Sequence, residues 1–105
     1  MSRRAGDFAI VAVVALVTLD RRGHVTQVRL AFGGVGATPI RVTAAEEVLV
    51  GQEPTADRLG HAALLARDAL NPESDAFVSS AYRRHLAGVL ARRALSRATA
   101  RAARV

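Results

Sequence analysis

With 105 residues, half of them hydrophobic, the chain has room for one folded domain around one modest core. The absence of cysteine excludes disulfides, thiolate metal sites and a cysteine nucleophile, and leaves the redox compartment open. The formal net charge of +6 comes from fifteen basic residues, all arginine, and is unevenly placed: residues 79–105 hold seven arginines and no acid, whereas residues 1–78 hold eight arginines against nine acids. Such a stretch suits a solvated helix face that meets an acidic partner subunit, or a small module that binds nucleic acid. Apart from Tyr82 it lacks the interleaved aromatic residues that would stack bases.

Arg3 and Arg4 ahead of the uncharged run Phe8–Leu19 imitate the start of a secretory leader. Asp7 interrupts the join, and Thr18-Leu19-Asp20 offers no small-residue cleavage site. The run is also too short to cross a bilayer as a helix. Ile10, Val11, Val13, Val14, Val17 and Thr18 are β-branched and predict a strand. Because it is apolar on both alternating faces, the expectation is a central, covered strand of a cytoplasmic protein without membrane contact. Asp20-Arg21-Arg22-Gly23 then supplies a turn, with Gly23 free to take the left-handed conformation of a tight hairpin.

The following run alternates, with Thr26, Val28, Leu30 and Phe32 on one face and Val25, Gln27, Arg29 and Ala31 on the other. Gly33–Pro39 breaks it, and Ile40-Arg41-Val42 forms a short third strand with Pro39 at its start. Thr43-Ala44-Ala45-Glu46 fits a capping box opening a brief helix that Gly51 ends. Thr55 and Asp57 open a second helix with Leu59, Ala63, Ala66 and Leu70 at helical spacing, stopped by Asn71-Pro72. The last helix begins near Asp75 or Ser79 and runs toward residue 100 with an apolar stripe of Val78, Tyr82, Leu86, Val89 and Leu90. Arg93 projects onto that stripe, where it snorkels toward the helix end. The order βββααα predicts an α+β fold in a single domain, residues 1–105.

Few residues suggest chemistry, and no catalytic or metal-ligating set is expected. Gly34-Val35-Gly36 shares the first spacing of a dinucleotide fingerprint, but Pro39 and Ile40 stand where a third glycine would open a helix. The stretch is read as a tight corner. His24, His61 and His85 include no ligand pair at helical spacing. Glu46 and Glu47 point about 100° apart on a helix and cannot flank one bond, so Glu46 is read as a cap. Ser79 and Ser80 have no visible base and are read as helix-starting residues. There remain Arg3, Arg4 and Asp7 beside the first strand, where an arginine can pair with the carboxylate or hold anionic charge on a ligand.

The ordered set of segments carries more than any one of them. Arg4-Ala-Gly-Asp-Phe-Ala-Ile-Val leads into the first strand, and Gly33-Gly-Val-Gly-Ala-Thr-Pro-Ile-Arg41 is followed by Ala45-Glu46 and Leu49-Val-Gly51. Asp75 then precedes Ser80-Ala-Tyr-Arg83 and Leu90-Ala-Arg-Arg-Ala-Leu95. From Arg3 to Leu95 the chain resembles the C-terminal domain of the FAD-binding (medium) subunit of molybdenum hydroxylases, the carbon monoxide dehydrogenase and xanthine dehydrogenase family.

The resemblance implies a small three-stranded antiparallel sheet packed against three helices, in agreement with the reading of the segments. It implies a non-catalytic structural part of a FAD-dependent oxidoreductase, completing the flavin site and the subunit interface in electron transfer. Its partners would be a FAD-binding N-terminal region, a molybdopterin-binding large subunit and a [2Fe–2S] small subunit. Arg4 and Asp7 match the stretch that approaches the flavin and are the candidate cofactor-binding residues. Tyr82 and Arg83 match a further family pattern and are assigned to packing and helix docking. The family's glycine-rich pyrophosphate loops are not among these 105 residues. FAD is therefore not expected to bind this chain alone.

Overall fold

A computed structural model describes residues 11–35, 38–72 and 79–104. Its elements are β1 (Ala12–Leu19), β2 (Val25–Gly33), β3 (Ile40–Arg41), α1 (Thr43–Glu47), α2 (Ala56–Ala69) and α3 (Ser80–Ala103). The three strands form one antiparallel sheet in the order β1-β2-β3, so the α+β class and the βββααα order are those expected from the sequence.

The hairpin closes as its turn residues dictate. The Asp20 carboxylate accepts the N–H groups of Arg22 at 2.8 Å and His24 at 3.0 Å, and Gly23 sits at φ +82°. An aspartate that answers the backbone of its own turn, followed by a residue free to adopt positive φ, fixes this loop locally.

The first strand departs from expectation. It is an edge strand, with β2 at the centre, and only its odd-numbered side chains face the core. Val14 and Leu16 are 61% and 59% exposed. Apolar residues on both faces of a strand imply cover on both faces, but the helices pack against one side of the sheet. A second departure lies at the start of β2. A bulge between Thr18 and Leu19 shifts the register, so Val25 turns into the core and Thr26 outward. One extra residue in a strand reverses the facing of the residues beyond it.

Val28, Leu30 and Phe32 of β2 pack with Leu49, Leu70 and Leu95 in the core. Thr55 caps α2 by accepting the Arg58 N–H at 3.2 Å, and Leu59, Ala62, Ala63 and Ala66 are its buried residues. Ser79 caps α3 by accepting the Tyr82 N–H at 3.0 Å. α3 lies along β1, with Ala98, Arg101 and Ala102 bordering Ala15, Leu16 and Val17.

The buried line of α3 is Ala87, Ala91, Leu95 and Ala98, not the stripe of larger residues expected. Leu86 and Leu90 lie half-buried beside it, Val89 and Arg93 are exposed, and Tyr82 is 49% exposed. Val78 lies outside the described residues. Alanines bring a helix closer to its neighbours than leucines would, so the tightest contact falls on the smallest side chains.

Candidate functional site at one end of the sheet

Arg4 and Asp7 lie outside the described residues, as do Gly36 and Ala37 of the glycine corner. The segments that flank them are described, and they converge. The register pairs Ala12 with Gly33 and Val13 with Phe32, so the start of β1 meets the first residues of the glycine corner. Gly34 takes φ +82° there, and the next side chain, Val35, is buried. β2 pairs antiparallel with both neighbours, so this corner does not belong to a βαβ unit. The corner connects two antiparallel strands, β2 and β3.

Behind the corner is an ion pair that anchors the next strand. Glu46 is 4% exposed and is the one buried charged side chain among the described residues. Its Oε2 accepts the Leu30 N–H at 2.8 Å, and the Arg41 guanidinium donates from Nε at 2.8 and 3.0 Å and from Nη2 at 2.7 Å. Burial would raise the carboxyl's pKa. Hydrogen bonds from Arg41 and the Leu30 N–H, with the positive charges of Arg41 and Arg29, overcome burial and hold it below the usual carboxylate range. The same contact holds Arg41 above its ordinary value.

The capping box is thereby corrected. α1 has no side-chain cap, and the Glu46 N–H donates to the Val42 carbonyl at 3.4 Å. Thr43-x-x-Glu46 has the right spacing, but Glu46 turns inward because β2 presents an otherwise unanswered N–H and β3 presents a guanidinium. The result fixes Ile40–Val42, and with it the exit of the glycine corner. A glutamate at a capping position, five residues after an arginine in a strand, was the available sequence signal.

Among the described residues the other candidates lie apart or in different surroundings. Glu47 is exposed and Glu46 buried, so the two carboxylates face different environments. His61 and His85 lie on different helices and, with Asp57, Arg67 and Arg92, line one open groove of about 520 Å³ between α2 and α3. Sequence spacing could not reveal this groove, because only the packing of the two helices creates it. Among the described residues no three metal-ligating side chains cluster. No helix among them is long and apolar enough to cross a membrane.

Residues 1–98 match the model of the carbon monoxide dehydrogenase flavoprotein C-terminal domain. The chain is 34% identical over 101 residues to 6-hydroxypseudooxynicotine dehydrogenase complex subunit alpha of Paenarthrobacter nicotinovorans, covering 96% of this chain and 34% of that protein. It is also 34% identical to the carbon monoxide dehydrogenase medium chain of Afipia carboxidovorans, covering 97% and 35% respectively.

Among solved structures, quinoline 2-oxidoreductase from Pseudomonas putida 86 superposes with a TM-score of 0.86 at 30% identity, over 97% of this chain and 35% of that one. The Cu,Mo carbon monoxide dehydrogenase superposes with a TM-score of 0.83 at 34% identity, over 96% of this chain and 35% of that one. The chain thus spans about a third of the length of the relatives it matches. Fold, segment order and likeness along the whole domain agree: the chain belongs to the family of C-terminal domains of FAD-binding medium subunits in molybdenum hydroxylases of the carbon monoxide dehydrogenase type.

Proposed function

We propose that this domain is a non-catalytic wall of a flavin site, completing that site and a subunit interface in a FAD-dependent oxidoreductase. The observation that carries the reading is the meeting of the start of β1 with the glycine corner at one end of the sheet, braced from behind by Arg41 and Glu46. Arg4 and Asp7, just upstream of β1, are the residues proposed to hold the flavin's edge and set its electrostatics. FAD supplies the redox chemistry when bound, and the protein supplies position and field. Among its described residues the corner offers no helix N-terminus for a pyrophosphate, which supports a cofactor held mainly by a preceding FAD-binding region. The further partners proposed are a molybdopterin-binding large subunit and a [2Fe–2S] small subunit.

The test is a chimera in which this chain replaces the matching third of the Afipia carboxidovorans medium chain. Retention of FAD supports the reading, and loss of FAD overturns it. The isolated chain titrated with FAD should not bind; tight stoichiometric binding would show that it cradles the cofactor unaided.

A second reading rests on α3. Arg93, Arg97, Arg101 and Arg104 are exposed and lie within an arc of about 80° on its last turns. If that stripe neutralises duplex phosphates, log affinity should fall with log salt at a slope of about −3.6. Absence of binding at low salt removes this reading.

A further inference from the structure

We propose that the uncovered face of the sheet is the surface on which the FAD-binding region of the medium chain docks, an inference that rests on the flavin-wall reading above. β1 directs Ala12, Val14, Leu16 and Thr18 to this face, opposite Gly33, Ala31, Arg29 and Gln27 of β2. Val14 and Leu16 are the most exposed large apolar side chains among the described residues. A shallow depression between Leu16, Thr18, Gln27 and Arg29 gives the face relief. The helices cover the opposite side. Two large aliphatic side chains adjacent on one strand face, with small Ala12, Ala31 and Gly33 around them, form a surface that favours burial.

The position of the chain in its family selects the occupant. In the relatives this domain is the C-terminal one and makes up about a third of the polypeptide. The remaining two thirds precede it and enter through β1, the strand that carries Val14 and Leu16. A tethered region acts at an effective concentration in the millimolar range, so even a small apolar patch suffices to hold it. The polar members of the face include Thr18, Gln27, Arg29 and, from β3, Arg41. The Glu46 carboxylate near Arg29 already accepts from Leu30 and Arg41, so Arg29 fits a partner surface bearing a further acceptor.

A second copy of the chain fits less well. A twofold contact through this face would bring two Arg29 side chains together, while the nearby Glu46 of each copy is already engaged by Leu30 and Arg41. Pairing along the edge of β1 meets α3, whose Ala98, Arg101 and Ala102 border Ala15–Val17.

The absence of cysteine makes the test direct. Leu16→Cys and, separately, Leu64→Cys are introduced into the isolated chain and into the chimera, and maleimide labelling at each position is followed by mass spectrometry. Leu64 is an exposed residue on α2 and serves as the reference. Docking predicts that position 16 labels at least about tenfold more slowly in the chimera than in the isolated chain, with position 64 unchanged. Val14→Cys should repeat the result. Equal labelling at position 16 overturns the proposal: if the chimera retains FAD, only the docking face is wrong, and if FAD is lost the flavin reading falls too. Protection at position 16 with FAD lost keeps the docking surface and rejects the flavin wall. Protection in the isolated chain that disappears on dilution identifies a second copy as the occupant and also overturns the proposal.

Discussion

Replacing Glu46 by alanine strips the acceptor from the buried Leu30 N–H and from both guanidinium donors of Arg41. An unanswered buried amide costs about 1–3 kcal/mol. Arg41 is 48% exposed at its side chain, so its freed guanidinium returns to water, and that half of the loss is small beside the buried amide. The one lost methylene adds about 0.8 kcal/mol where it was buried. The sum centres near 3 kcal/mol, which in urea lowers the midpoint by about 2 M for a domain of this size.

Glu46→Gln keeps an oxygen for Leu30 but loses the charge, and should cost about half as much. A double-mutant cycle with Arg41→Ala separates the ion pair from the strand contact. Urea titration followed by circular dichroism at pH 7 reads all four proteins. A midpoint shift below about 0.5 M for Glu46→Ala would refute the claim that the Leu30 contact carries most of the loss.

The depressed pKa of Glu46 also predicts an acid response. Stability from this group is fully present above its unfolded pKa, about 4.3, and is lost as pH falls through the lower folded value. Asp20, held low by the His24 N–H and then that of Arg22, adds a loss of the same sign, so Asp20→Asn combined with Glu46→Gln should flatten the profile that either alone only weakens. The midpoint in urea measured from pH 7 to pH 3 checks both. On the helices, Gly60→Ala should stabilise by about 0.5–1 kcal/mol, because a methyl there meets only Arg92 Nε at 3.9 Å. Gly88→Ala gains the same propensity but presses on the Arg67 side chain at 3.3 Å, so its thermal midpoint should rise less than that of Gly60→Ala. A larger rise for Gly88→Ala would mean that Arg67 moves aside freely.

Local rules read well where local contacts decide. The Asp20–Gly23 turn and the Thr55 and Ser79 caps follow from residues within four positions of one another, and all three are in place. The order of elements along the chain, βββααα, was legible from periodicity for the same reason. What escaped was set by partners distant in the chain. Phe8–Leu19 carries the composition of a central strand, yet the part described is an edge, because alternation reports which faces are apolar and not which neighbour covers them. Val25 and Thr26 exchange faces through a bulge that leaves no mark on the pattern. On α3 the larger side chains drew the predicted stripe, while the close approach of neighbouring elements selected Ala87, Ala91 and Ala98. Glu46 fits a cap by spacing and was claimed by Arg41 and Leu30 instead. Of the candidate site, the convergence of the two flanking segments follows from the hairpin register, and the residues named from family likeness, Arg4 and Asp7, lie outside the described part.

The far side of β2 has a consequence for how the domain survives at high concentration. Its backbone is answered in turn by the two residues of β3, by the Val42 N–H at Leu30, by the Glu46 carboxylate, and by the exchange of hydrogen bonds between Val25 and Gly51–Gln52. An intruding strand would have to displace a charged acceptor and reopen a turn before it could lengthen the sheet. Edge-to-edge polymerisation, the usual hazard of a small open sheet, is blocked on that flank by a side chain standing in for a strand.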